Sequence, residues 1–162
     1  MITIRCETGF DVQVDGDTLA GAKLADMDLH RALLDGADLR GADFSRSELR
    51  SAWLEGAKLD DANLSHSILA AANASKASFV RVHFQHAMLR AGIFEDANFA
   101  GASLVSANVG GARFARASFV GADMRCNELG EADLRGAYYS PSTLWPEGFD
   151  PNAHGLILRE GS

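Results

Sequence analysis

The sequence predicts an all-β solenoid, in which the chain coils around one narrow apolar core, and three observations predict it. A large apolar residue occupies every fifth position from Leu19 to Leu144, which makes 26 consecutive units, and 22 of these positions are Leu or Phe. Alanine stands two residues before this central position in 18 of the 26 units. Glycine stands two residues after it in eight units. A pattern that recurs in phase over so many units is typical of a repeat architecture.

The five-residue period explains why the chain should coil. On an α-helix a step of five residues turns a side chain by roughly 140°, so the large residues would be spread around the helix. On a flat strand an odd step would send alternate large residues to opposite faces. A short extended segment followed by a corner in every unit removes the conflict. The central residue and the alanine then point inward, the residue between them points to solvent, and the glycines lie at corners, where an unusual φ is needed.

Units such as Ala-Asp-Leu-Arg-Gly at 37–41 and again at 132–136 resemble the pentapeptide-repeat family, and the resemblance extends over about four-fifths of the chain. It implies a right-handed quadrilateral parallel β-helix of about 26 pentapeptide repeats, with four repeats in each coil. The residues alone leave the number of repeats per coil open, because spacings of 20 and of 15 align as many Phe pairs. With four repeats per coil we expect about six and a half coils and a rod of about 31 Å.

The ends of the chain depart from the repeat and are expected to cover the open ends of the β-helix. Residues 1–16 alternate apolar and polar residues around a turn, which predicts a strand or hairpin cap or a degenerate first coil. The β-helix is expected over residues 17–146. Residues 147–162 are expected to form a C-terminal capping segment and tail, because the stretch from Thr143 to Pro151 resembles the closing segment of many bacterial family members. The resemblance also implies an alternative, a homodimer formed through the C-terminal end.

Composition predicts a single soluble unit, with 47% hydrophobic residues and a net charge of −7. No apolar stretch approaches the ~20 residues of a membrane span, and the first residues lack the basic region and apolar run of a signal peptide. We therefore expect a cytoplasmic protein that does not associate with membranes. Cys6 and Cys126 would lie about six coils apart, far beyond the reach of a disulfide, which predicts free thiols.

The distribution of charge bears on one function that the resemblance implies. Some family members are similar to DNA in shape and charge and bind bacterial type II topoisomerases such as gyrase in its place. A DNA mimic needs a long field of one sign, yet residues 17–146 contain 16 acids and 13 bases. One acidic stripe remains, since Asp35, Glu55 and Glu95 share an outward column that Ser75 interrupts. The alternative interpretation of this stripe is a solvated surface with arginine partners nearby.

No motif predicts an enzyme. A packed solenoid without insertions offers no concave pocket for catalysis, and the sequence has no phosphate-binding glycine loop, no nucleophile elbow and no familiar spacing of metal ligands. We expect no catalytic residues, no cofactor and no metal. His66, His83 and His86 are nevertheless predicted to lie close together, either as ordinary surface residues, as ligands of a shared metal ion or as a pH-sensitive patch.

Apolar residues at outward positions suggest a contact surface instead. Leu33, Trp53 and Ile93 fall on one face of a four-sided coil, and Ile68 and Met88 fall on the adjacent face. Clustered apolar surface often marks a binding site, although single exposed apolar residues are common. The sequence therefore predicts a non-enzymatic, rigid protein-interaction or scaffold module whose protein partner is unknown. The alternative is a DNA-mimicking modulator of bacterial type II topoisomerase, and direct binding of nucleic acid is not expected.

Overall fold

The computed structural model describes residues 1–160, most of which form a coil that repeats every 20 residues. Two strands precede the coil: β1 (Ile2–Ile4) pairs antiparallel with β2 (Val12–Val14). The chain between them pairs with the first coil, where Cys6 forms an antiparallel bridge with Ala32. Each following bridge is parallel and joins residues one coil apart. This spacing gives four units per coil and excludes the alternative of three.

Four units per coil give the rod four faces, and the outward residue of each unit falls in one of four columns. These columns contain Lys23, Asp43, Asn63, His83, Ser103 and Asp123 on the first face; Asp28, Glu48, Ile68, Met88, Asn108 and Asn127 on the second; Leu33, Trp53, Asn73, Ile93, Arg113 and Asp133 on the third; and Asp38, Lys58, Ser78, Asn98, Ser118 and Tyr138 on the fourth. Below, the second face is called the Met88 face and the third the Trp53 face.

Backbone hydrogen bonds between successive coils hold each column in register. On the Trp53 face, the N–H of Leu54 donates to the carbonyl of Asn73 at 2.7 Å, and the N–H of Asn73 donates to the carbonyl of Ala52 at 2.9 Å. The same pattern recurs on every face. Backbone groups that cannot pair within so short a segment are thus satisfied by the neighbouring coil.

The corners are made by residues with positive φ. From Gly21 to Gly121, and again at Gly136, the second residue after the central position adopts this left-handed conformation, as Gly36 does at φ 66° and Gly121 at φ 67°. Glycine adopts it without steric cost, which explains the glycines at this position in the sequence. Non-glycine residues adopt it as well, and Arg46, for example, has a φ of 56°.

The core consists of stacked central residues lined by the small residues two positions earlier. Every central position from Leu24 to Tyr139 is buried. Aromatic rings stack along the axis, with centroids 4.9 Å apart between Phe79 and Phe99 and 5.5 Å apart between Phe99 and Phe119. Such parallel stacking adds to the free energy of burial.

The expected count of about 26 repeats is not supported. The structure buries 24 central residues, from Leu24 to Tyr139, whereas Leu19 is only partly buried and Leu144 is 47% exposed. Leu144 is not buried because the coil that ends there has one extra residue: its bridge partner is Asp123, 21 residues earlier instead of 20. The extra residue turns Thr143 inward, where its hydroxyl donates to the carbonyl of Phe119 at 2.8 Å, and Leu144 outward.

The last coil is closed by short elements. A 3-10 helix spans Leu129–Glu131, and β3 (Tyr138–Tyr139) pairs in parallel with β4 (Ile157–Leu158) after a second 3-10 helix at Asn152–His154. Aromatic residues cover this end of the core: the ring centroids of Tyr139 and Trp145 are 5.6 Å apart and those of Trp145 and Phe149 are 5.1 Å apart.

Candidate functional site

The Trp53 face presents an apolar strip to solvent. Leu33, Trp53 and Ile93 lie in its central column, and Asn73 separates the last two. Leu33 is 46% exposed and Trp53 38% exposed, while Ile93 is partly buried. They face outward because strand side chains alternate and the two neighbours of each point into the core. The structure thus brings together the three residues that the sequence assigned to one face.

A shallow groove of about 310 Å³ runs beside this strip. Its lining includes Trp53, Asn73 and Ile93 of the central column and the small corner residues Ser51 and Ala71. The remaining lining residues are Glu7, His30 and Arg31 at the N-terminal end. Glu7 joins them because its segment pairs with residues 31–33, and its carboxylate lies 2.8 Å from the guanidinium of Arg31.

The Met88 face contains the other two predicted contact residues. Met88 is 43% exposed and Ile68, its bridge partner, is partly buried. Polar or acidic residues stand on either side of the pair in the same column, namely Glu48 before it and Asn108 after it. This apolar area is therefore smaller than the strip on the Trp53 face.

The predicted acidic stripe lies at the corner that follows the Trp53 face, and its three carboxylates have different environments. Asp35 accepts a hydrogen bond from the backbone N–H of Glu55 at 2.8 Å. Glu95 lies 2.5 Å from Arg113 and 3.7 Å from Arg116. Glu55 is exposed and forms no ion pair with any residue in 1–160. Within residues 1–160, Glu95 is thus the one member of the stripe that forms an ion pair.

Ion pairs between arginine and carboxylate side chains are spread over other parts of the surface. Corner pairs connect successive coils, as in Asp26–Arg46 at 2.8 Å and Asp61–Arg81 at 2.7 Å. Pairs also form between an outward aspartate and the arginine two residues later, and hydrogen bonds donated by the Arg135 guanidinium lower the pKa of Asp133 to about 2. Charges that neutralise one another at such short range produce a mixed surface rather than a long field of one sign.

The predicted histidine cluster is only partly assembled. The rings of His66 and His86 stack with centroids 4.9 Å apart and planes 13° apart. His83 stands on the first face, before the corner at which the other two lie. Within residues 1–160 no group of three or more histidine, cysteine, aspartate or glutamate side chains has the geometry to hold a metal ion.

Both cysteines are free thiols buried in the core, as expected. Burial raises the pKa of the Cys126 thiol to about 12, and burial together with nearby Asp11 raises that of Cys6. Thiols of this kind are poor nucleophiles because the thiolate is the reactive form.

In the described part of the chain, no helix has the length and apolar character to cross a membrane.

Sequence reasoning missed the residues that border the apolar strip on its other side. Arg50 and Arg90 lie one residue before the corner positions Ser51 and Ala91, between the Met88 face and the Trp53 face. It also missed Phe10, which is 83% exposed in the turn between β1 and β2. The arginines could have been found from the column that each coil repeats, but Phe10 has no repeat that would reveal its position.

Comparison with known proteins identifies related sequences and folds. A sequence model of a family described as pentapeptide repeats matches in eight copies, over residues 18–50, 47–85, 57–96, 93–125 and 102–138. The crystal structure of Rfr23, a pentapeptide repeat protein from the cyanobacterium Cyanothece 51142, superposes with a TM-score of 0.57 at 32% identity. That match covers 60% of this chain and 66% of Rfr23. No curated protein gives a significant sequence match.

Two further structures are similar. A pentapeptide repeat protein from Nostoc Pcc 7120 is 31% identical over 72% of this chain and 84% of its own, with a TM-score of 0.45. QnrB1, a plasmid-mediated fluoroquinolone resistance protein, is 16% identical over 87% of this chain and 84% of its own, with a TM-score of 0.51. The last likeness concerns the fold alone. The family match and the folds of Rfr23 and QnrB1 together identify the coil of this chain as a right-handed β-helix.

Proposed function

Because this chain belongs to the pentapeptide-repeat family, we propose that it acts as a rigid, non-enzymatic module that binds another protein through one side of the rod. The observation that supports this function is the apolar strip of the Trp53 face, where an exposed tryptophan lies in line with Leu33 and Ile93. Tryptophan is enriched among the residues that contribute most to protein interfaces. Ile68 and Met88 on the adjacent face would extend the contact around one corner.

The rigidity of the coil supports a binding role. Leu33, Trp53 and Ile93 each lie between two buried neighbours, and backbone hydrogen bonds connect their segments to the chain on either side. A surface that is already ordered loses little conformational entropy when a partner binds.

The two buried free thiols favour a reducing compartment, and we propose that the protein acts in the cytoplasm.

Truncation of the tryptophan tests the contact surface. We expect Trp53→Ala to change the free energy of unfolding by less than about 1 kcal/mol, because the side chain is exposed. It should weaken capture of the partner from a lysate of the source organism by at least about tenfold, as expected for a central interface residue. Quantitative pull-down with mass spectrometry measures capture, and urea denaturation measures stability.

Leu144→Ala is the matched control, since Leu144 is 47% exposed on the first face and distant from the strip. It should leave capture unchanged. Equal losses from both variants, or unaltered capture by Trp53→Ala, would contradict a binding role for the Trp53 face. A large loss of stability in Trp53→Ala would instead assign the residue to the core.

Modulation of a type II topoisomerase is the alternative function, and the likeness of fold to QnrB1 is the observation that favours it. The interspersed ion pairs weigh against it, because a mimic of DNA must compete for a basic groove with an extended negative field. We expect no change in gyrase supercoiling at protein concentrations up to about 10 µM, well above the nanomolar range of specific DNA complexes. Inhibition in that range would favour the alternative.

Association through the C-terminal end is a separate proposal. Two apolar side chains of β4 are exposed at that end: Ile157 by 49% and Leu158 by 43%. Within residues 1–160, β4 pairs with β3 alone. Its other edge therefore has unpaired backbone groups to which a strand of another chain can bind. Ile157→Lys should abolish a dimer of this type, and light scattering after size-exclusion chromatography would measure the change in mass. Capture of a partner through the Trp53 face should be unaffected.

A further inference from the structure

The Trp53 face has edges of opposite charge. On the side of the Met88 face, the corner contains Arg31, Arg50 and Arg90, and we call it the basic edge. On the other side, the corner contains Asp35, Glu55 and Glu95, and we call it the acidic edge. Between the two edges lies the apolar strip. Halfway along the strip the basic edge has the small residues Ala70 and Ala71, and the acidic edge has Ser75 and the base Lys76.

Such a face is complementary to itself. A two-fold rotation about a line parallel to the rod, applied to a second copy, brings the two faces together with the rods parallel. It also reverses left and right, so the basic edge of each copy meets the acidic edge of the other. We propose that this protein forms a side-by-side parallel dimer through the Trp53 face, and that its partner there is a second copy of the chain. The inference rests on the proposed contact role of this face.

The strongest charge contact of the dimer would be Arg50 against Glu55 of the second copy. Arg50 is half-exposed, and its only ion-pair partner within residues 1–160 is Glu48 at 3.6 Å. Glu55 has none in the same range. The symmetry forms this contact twice. The next contact, Arg90 against Glu95 of the second copy, would be shared with intrachain partners, because Arg90 pairs with Glu128 and Glu95 with Arg113.

The apolar strip fits the same symmetry. Residues in the central column lie near the rotation axis, so each meets its own counterpart: Leu33 with Leu33, Trp53 with Trp53 and Ile93 with Ile93 of the second copy. Paired tryptophan rings bury large apolar areas and favour offset or edge-to-face contacts. Arg113 would also meet its counterpart, but its guanidinium is held by Glu95 of its own chain at 2.5 Å.

An antiparallel dimer is disfavoured by the same charges. A rotation centred on Asn73 and perpendicular to the rod would place Trp53 against Ile93, which is apolar and acceptable. It would also place Arg50 against Arg90, and Glu55 against Glu95. Like charges that face each other across an interface cost several kcal/mol in general. The parallel arrangement is therefore the one that the edges support.

The interface should be of modest strength. From Leu33 to Ile93 the strip extends over three steps between coils, which is about 14 Å at the usual distance between strands. Contacts of this extent lie near the lower limit for stable interfaces. The dimer should consequently depend on concentration, and on salt because charge contacts line both edges.

A charge exchange tests the proposal. Sedimentation velocity over a concentration series gives the dissociation constant of the dimer. We expect Arg50→Glu and Glu55→Arg to weaken it by at least about tenfold each, since each creates two like-charge contacts. The double variant restores opposite charges across the interface and should return the constant to within about threefold of the original. Lys58→Glu on the fourth face is the control and should have no effect.

Cysteine cross-linking tests the orientation. In the parallel dimer Asn73→Cys and Arg113→Cys should each form a disulfide with the same position of the second copy, while the native thiols stay buried. An antiparallel dimer centred on Asn73 would cross-link through Asn73→Cys alone, and a dimer joined at the C-terminal ends through neither. Circular dichroism confirms that each variant is folded. Where one is not, Ser75→Cys at the acidic edge, combined with Ala71→Cys, replaces it.

The outcomes separate this inference from the proposed function. A monomer at every concentration, a dimer insensitive to both charge reversals, or a double variant that fails to recover would overturn the parallel dimer. If the protein is monomeric and capture of another protein still depends on Trp53, the dimer is wrong and the binding function stands. If the charge exchange behaves as expected, the dimer is supported whether or not another protein is captured.

Discussion

Most corners of the coil contain a residue in the left-handed conformation, and the identity of that residue differs from coil to coil. Glycine adopts it freely, whereas an L-residue is destabilised by roughly 1–2 kcal/mol. Arg46 and its partner Asp26 both adopt it, with φ of 56° and 59°, and are joined by two hydrogen bonds of 2.8 Å. Ion pairs of this kind between coils partly offset the backbone strain, although exposure limits each one to a modest contribution.

Substitution of a corner glycine isolates the backbone cost. Gly36 has a φ of +66° and open space where a Cβ would lie, so Gly36→Ala adds strain without a steric clash. We expect a loss of about 1–2 kcal/mol in the free energy of unfolding. Gly130 has equally open surroundings without a positive φ, so Gly130→Ala should be neutral or slightly stabilising. Urea denaturation measures both, and equal effects would disprove the strain argument.

Ion pairs between an outward aspartate and the arginine two residues later make the stability of the fold depend on pH. Hydrogen bonds from the arginine two residues on lower the pKa of Asp38 and of Asp133 to about 2 each. A carboxyl whose pKa is lower in the folded than in the unfolded chain adds stability above its unfolded pKa near 4, and this contribution disappears as the pH falls towards 2. The temperature of half-unfolding should therefore fall between about pH 4 and pH 2.

Asp133→Asn provides the specific test of this dependence. The variant should be less stable than the original chain at pH 7 and should approach it in stability at pH 2, because protonation removes the same ion pair from the original. Asp15→Asn is a suitable control, since Asp15 forms no ion pair within residues 1–160. Thermal unfolding followed by circular dichroism at several pH values gives the comparison. Parallel curves for Asp133→Asn and the original would show that the pair contributes nothing.

The regular elements could be predicted from the sequence because each unit obeys the same local rules. The irregular units near the C-terminal end could not be predicted from the central positions. Leu144 still falls on the five-residue period of the sequence, although the backbone there no longer follows that period. Asn127 was the available signal, because it is a large polar residue at a position that otherwise holds alanine or another small residue in most units. In the structure Cys126 points inward in place of Asn127. The bridge of Asn127 to Asn108 spans one residue fewer than a full coil. The 3-10 helix at Leu129–Glu131 then returns the chain to the five-residue period.

At the scale of the whole molecule, each coil contacts only its two neighbours, so stability should vary along the rod. The aromatic stack from Phe79 to Phe119 lies near the middle, and the ends have fewer buried partners. Hydrogen exchange should thus be slowest at backbone amides such as that of Phe99 and fastest within residues 1–16 and 140–160. Mass spectrometry of exchanged peptides measures this gradient. Uniform protection from end to end would mean that the rod opens only as one unit.

The candidate site shows where prediction from sequence ended. The apolar residues of the Trp53 face could be assigned to one side, because outward positions follow from alternation within each unit. The basic edge was missed, since the alignment of Arg50 with Arg90 at one corner requires four units per coil. The residues alone left that number open, and the bridges of the structure supply it.

The constant spacing of the bridges also converts chain length into distance. Each whole coil adds about 4.8 Å along the axis and no net turn to the residues on a face. A second copy of residues 58–77 would move Ile93 one step further from Trp53 and keep both on the same side, whereas one inserted five-residue unit would move Ile93 to a different side. The protein is therefore a molecular ruler, in which the distance between two contact points can be lengthened without altering the residues that make the contacts.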